Sequence, residues 1–173
     1  KKEIGQFFSN LTGYLAIILF LLINGIFLFV LPTSSILENG YASLSNFFEL
    51  APWILLFLVP AIGMRTLSDE IKSGTIELLK TKPLSGWQIV LGKYISILIV
   101  LVIVIIPTFI YVYTIDVLSA TASIDTGGIA GSYIGLLMLG AVFAAISLCC
   151  SGLTANAVVA FLISVFACLI LYF

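Results

Sequence analysis

Long apolar runs separated by short polar breaks set the elements of this chain. Five runs, residues 14–31, 47–64, 87–115, 129–150 and 154–173, approach or exceed the about 20 mainly apolar residues that a membrane helix needs. Pro32 and Thr33-Ser34-Ser35 close the first run. Pro52 and Pro60 lie inside the second, and Pro107 lies near the outer end of the third. The remaining residues are too few for a soluble domain. The pattern predicts an all-α, polytopic membrane helix bundle with five transmembrane helices. Proline removes a helix hydrogen bond, so kinks are expected in the second and third spans. Such kinks could serve motion or only packing.

The longest polar break runs from Arg65 to Lys93 and differs from the other breaks. It holds five of the seven Lys and Arg residues, together with Asp69, Glu70 and Glu77. A charge at the bilayer centre costs about 2.5–3.5 kcal/mol on the gentler insertion scale, so this segment must lie outside the lipid. Gly74 should interrupt a helix that continues from the second span. Thr75 to Thr81 then reads as a short second helix, with Ile76, Leu78 and Leu79 gathered on one side and Glu77 and Lys80 elsewhere. Lys80 and Lys82 lie at its C-terminal end, where the helix dipole favours cations, and Pro83 ends it. Ser85 and Gln88 fit a capping box, with Leu84 and Ile89 at the staple positions, so the third span should start at Ser85. The insert, 65–86, is a charged cytoplasmic element built to dock on a soluble partner.

At the start of the chain, Ile4, Phe7 and Phe8 recur at helical spacing opposite charge. Residues 1–12 therefore read as an interfacial helix on the inner membrane surface. Lys1 and Lys2 could open a signal peptide, but the run behind them is too long for one and lacks a cleavage site. The chain starts without Met and stops inside an apolar run, so it is expected to be incomplete at both ends.

Composition agrees with the pattern. The chain is 62% hydrophobic and 9% charged, against about 25% charged in a soluble domain. Orientation follows from the basic residues. Lys1 and Lys2 precede the first span and the other five sit in the insert, whereas the 32–46 and 116–128 loops carry only Glu38, Asp116 and Asp125. This puts the N-terminus and the insert in the cytoplasm and the acidic loops outside. The Ser151–Gly152 turn falls inside.

Candidate chemistry is sparse. There is no His, which removes the commonest general base and metal ligand. Cys149, Cys150 and Cys168 lack metal or haem spacing and read as small buried hydrophobes. Asp116 and Asp125 are at the outer surface, which excludes a paired intramembrane acid. Gly86 to Lys93 faintly resembles a phosphate loop, but the glycine spacing is wrong and Tyr94 stands where Ser or Thr is needed. Asn10-Leu11-Thr12 would be a glycosylation acceptor only on the outer side. No nucleic-acid site is indicated. Gly127, Gly131 and Gly135, followed by Gly140 and Ala144, form a small-residue ridge suited to close helix approach, within the subunit or at a subunit interface. Asn24 lies mid-span and must find a packing hydrogen bond or line a substrate pathway.

The run Glu70-x-x-x-Gly74-Thr75-x-Glu77-Leu78-Leu79-x-x-x-Pro83, followed by Gly92-Lys93-Tyr94, resembles the signature of ABC-2 type transporter permeases. Lys1 to Phe8 and Trp53 to Arg65 add to the likeness, which is nearest the gliding-motility-associated permeases of the GldF type. The resemblance implies a 1–173 ABC-2 membrane domain belonging to a six-helix half-transporter, with the sixth helix missing here. It implies pairing with a second permease chain and with separate ABC ATPase subunits that hold ATP-Mg, this chain binding no cofactor. The ATPase contact would fall on Glu70, Gly74, Thr75, Glu77, Leu78, Leu79, Lys80 and Pro83. A bacterial inner-membrane exporter linked to gliding motility is the function implied. Asn10-Leu11-Thr12 departs from the Pro-containing turn expected before the first span. A non-transporting membrane scaffold of a motility or secretion apparatus is the alternative.

Overall fold

The computed structural model describes residues 11–30, 44–75, 85–118 and 125–173. In chain order the helices are α1 (Leu11–Phe29), α2 (Ser45–Gly63), α3 (Arg65–Lys72), α4 (Gly86–Ile105), α5 (Phe109–Leu118), α6 (Thr126–Leu153) and α7 (Ala157–Tyr172). A 3-10 turn, Ile106–Thr108, joins α4 to α5. No strand occurs among the described residues. The chain is a helical membrane bundle, as the run lengths predict. Helices satisfy their own backbone groups, which apolar surroundings cannot do for them.

Three stretches are long and apolar enough to cross a membrane: Ser45–Lys72, Gly86–Val117 and Thr126–Leu153. The apolar helices Ile17–Phe29 and Ala157–Tyr172 are shorter. Ser45–Lys72 has 28 residues, about 42 Å of helix against a hydrocarbon core of about 30 Å. Its polar α3 end therefore projects beyond the lipid.

α6 is the centre of the bundle and packs against α2, α3, α4 and α7, while α1 leans on α2. The core combines Leu55, Leu56 and Val59 of α2, Ile97, Leu101 and Val104 of α4, and Leu136, Phe143 and Leu148 of α6. The face of α6 that lets neighbours approach is small: Gly140, Ala144, Ser147 and Ser151 are all buried. At the opposite end from α3, Tyr133 stacks on Phe109 at 4.8 Å and meets Phe48 edge-on at 5.1 Å. Its hydroxyl lies 3.0 Å from Thr108 Oγ1.

Several boundaries differ from the sequence pattern, each for a local reason. α6 starts at Thr126, three residues earlier than expected, because the Asp125 side chain accepts a hydrogen bond from Gly128 N at 3.0 Å. The turn between the fourth and fifth spans is 154–156 rather than Ser151–Gly152, since α6 continues to Leu153. Asn156 then caps α7, accepting from Val158 N at 3.0 Å. Pro107 coincides with the 3-10 turn, where Thr108 Oγ1 donates to Ile105 O at 2.6 Å. Pro52 and Pro60 sit inside an unbroken α2. The break in that span comes later, at Met64.

Candidate coupling site

α3 is short and sharply two-sided. Arg65, Asp69 and Lys72 are exposed, and they line a groove against Thr154–Val158 at the start of α7. Thr66 and Ser68 are buried. These residues are polar because they must complete the backbone at the α2–α3 junction.

Gly63 and Met64 leave that junction with displaced hydrogen bonds. The Gly63 carbonyl accepts from Thr66 Oγ1, and the Met64 carbonyl accepts from Ser68 Oγ. The amides of Leu67 and Ser68 also donate to Ser151 Oγ, at 2.9 and 3.1 Å. That hydroxyl donates to Met64 O at 3.0 Å. A serine on α6 thus does for α3 what an N-cap residue does for its own helix. One turn before it on α6, Ser147 presses on Gly63: a β-carbon at Gly63 would lie 2.1 Å from Ser147 Oγ.

Lys93 holds the other side of α3. It is 5% exposed although it sits on an apolar span. Its ammonium group donates to Thr66 O and pairs with Glu70 Oε1 at 2.8 Å. The second carboxylate oxygen, Oε2, is buried without a hydrogen-bond partner. Glu70, which the resemblance places at the partner contact, is therefore turned toward Lys93.

α3 stops in the way a helix before glycine stops. Ser73 N donates to Asp69 O and Gly74 N to Ile71 O, and Gly74 has φ +69°, the left-handed conformation that favours glycine. Thr75 follows, partly buried, its hydroxyl 2.9 Å from that of Ser73. Glu77, Leu78, Leu79, Lys80 and Pro83 lie outside the described residues, as do the interfacial segment 1–10 and the amphipathic pattern 76–81. The chain re-enters at Ser85, where both halves of the predicted capping box form: Ser85 N donates to Gln88 Oε1 at 3.0 Å and Gln88 N to Ser85 Oγ at 3.4 Å.

The remaining candidates separate. Gly140 is buried against Leu101, whose Cδ2 would be 2.5 Å from an added β-carbon, and Ala144 is fully buried. Gly131 and Gly135 face open space, and Gly127 is exposed beside Asp125. The ridge is therefore two surfaces, one inside the subunit and one outside it. Asn24 is buried, its amide donating to Phe20 O at 2.8 Å while Oδ1 has no partner.

A family model described as ABC-2 family transporter protein matches residues 31–173. The chain belongs to the ABC-2 transporter family. No curated protein and no solved structure matches it. This ABC-2 chain is the membrane component of an ABC transporter, a class of subunit distinct from the ATPase. The match takes in the second to fifth spans, the α2–α3 junction, Gly74 and the capped start of α4. Sequence reasoning did not select Lys93, Ser151, Thr66 or Ser68 as site residues. For Lys93 a signal existed: a lone charge about two turns beyond the Ser85 cap, in a helix otherwise uncharged. For Ser151 none did, since its partners are 83 to 87 residues away.

Proposed function

We propose that this ABC-2 permease is an exporter subunit of the bacterial inner membrane, linked to gliding motility and driven by a separate ATPase. The single observation that supports the coupling role best is the projecting α3, tied to two neighbouring spans and ended by a left-handed Gly74. An element that leads out of the lipid and is braced at its root suits the transfer of force from a soluble partner. The segment after Gly74, with Thr75, Glu77, Leu78, Leu79, Lys80 and Pro83, is the contact in this reading. ATP-Mg stays in the partner, whose closure shifts the population between inward- and outward-facing arrangements. Substrate passes between this chain and a second permease chain, for which the outward Gly127-Gly131-Gly135 surface is one candidate face. The clustering of basic residues in the insert supports a cytoplasmic N-terminus and insert.

The test is site-specific photo-crosslinking from Glu77 and Lys80 in the full-length protein, in native membranes. An ABC ATPase should be captured at both positions, with a yield that changes with nucleotide state. Capture of motility or scaffold proteins alone, or of nothing at normal protein level, would sink the coupling role and favour a structural scaffold.

A further inference from the structure

We propose that Lys93 and Ser151 are positioning residues that make α3 move as one body with α4 and α6. The use of this motion in transport rests on the function proposed above. The joint itself does not.

Continuity of the chain suggests the opposite arrangement. α3 follows α2 directly, so a displacement at Gly74 would be expected to travel down α2. The junction also carries ties to other spans. The amides of Leu67 and Ser68 donate to Ser151 Oγ on another span. Thr66 and Ser68 back-bond to the carbonyls on either side of the break, a pattern that bends helices. Met64 itself keeps helical angles, φ −56° and ψ −32°, with its amide on Pro60 O, so the helix is bent there rather than severed.

The non-covalent path is stiff. Ser151 makes three hydrogen bonds spanning the break, two to α3 and one to Met64. Lys93 grips α3 at two points one turn apart, Thr66 O and Glu70. Two points on one helix fix its rotation as well as its position. Lys93 and Ser151 are buried and their partners are buried or partly so, and removing one member of such a pair strands the other. α4 and α6 also pack on each other, so their two grips belong to one frame.

The experiment measures the joint directly. Spin labels are placed at Lys72→Cys on α3 and Leu153→Cys at the end of α6, both exposed. Cys149, the exposed native cysteine, is replaced by Ala. Distance distributions are recorded for the full-length permease in lipid, alone and with its ATPase, nucleotide-free and ATP-bound. With the permease alone, the native pair should give a narrow distribution. Lys93→Met and Ser151→Ala should each widen it about twofold as local opening becomes accessible. The Met variant leaves an apolar side chain on an apolar span, and the Ser→Ala change is small, so both should insert. Equal widths in all three proteins would overturn the proposal. With the ATPase bound, nucleotide should leave the native distance unchanged and shift it in Lys93→Met. A nucleotide-dependent distance in the native protein, or none in Lys93→Met, would also overturn it. If no ATPase is captured by the insert, the transport reading fails, and the permease-alone measurement still decides the joint.

Discussion

Gly63 and Gly131 are both glycines in membrane-spanning helices, and distance gives them opposite roles. A β-carbon at Gly63 would lie 2.1 Å from Ser147 Oγ and 2.9 Å from its Cβ. At Gly131 an added β-carbon meets nothing within 4 Å. Gly63→Ala should therefore destabilise the subunit by about 2 kcal/mol, in the range of overpacked cores. Ser147→Gly in the same chain should recover part of the loss. Gly131→Ala should be neutral or should gain up to about 1 kcal/mol from helix propensity. Thermal unfolding in detergent reads all three. If the outward ridge meets a second permease chain, Gly131→Leu should weaken dimerisation while leaving the melting of the monomer alone. Crosslinked dimer yield in membranes measures that. Asn24 offers a different contrast. Its Oδ1 has no partner and its amide shares a carbonyl within its own helix, so Asn24→Leu should change stability by less than about 1 kcal/mol.

At the scale of elements, the strength of a start signal decides what can be read in advance. Ser85 and Gln88 exchange two hydrogen bonds across three residues, a pattern contained within one turn and therefore visible in the sequence. Ser85→Ala should cost about 1 kcal/mol. It should speed hydrogen exchange at the amide of Gln88 while amides in the middle of α4 stay protected, as exchange followed by mass spectrometry would show. Asp125 and Asn156 cap their helices just as locally. They were missed because their N3 positions, Gly128 and Val159, are not Glu or Gln, so no capping box marks the start. The fate of α3 was legible only in part. Gly74 announces its end, but the break at Met64 depends on a hydroxyl from another span, and no spacing rule reaches that far. Lys93 and Glu70 are likewise visible as charges and invisible as a pair.

Over the whole molecule, the apolar runs and the uneven distribution of basic residues gave both the helical membrane bundle and a definite expectation of sidedness. Cysteines at Lys72 and at Asp125, in a chain with Cys149, Cys150 and Cys168 replaced by Ala, should react with a membrane-impermeant reagent from opposite sides, Asp125→Cys from outside. Reaction of both from one side would reverse the topology. What the runs could not show is that α6 is the hub to which α2, α3, α4 and α7 attach. That arrangement has a consequence for how the protein is made. The Leu67 amide and the Ser151 hydroxyl that completes it are 84 residues apart. At about 5–20 residues per second, a ribosome needs roughly 4 to 17 seconds to bridge that interval. Through that time the second span is already synthesised while the root of its extension still lacks its cap. Assembly of this subunit is thus ordered in time: α3 takes its final seat only after the fourth span has been made, and a chain released before Ser151 cannot complete it.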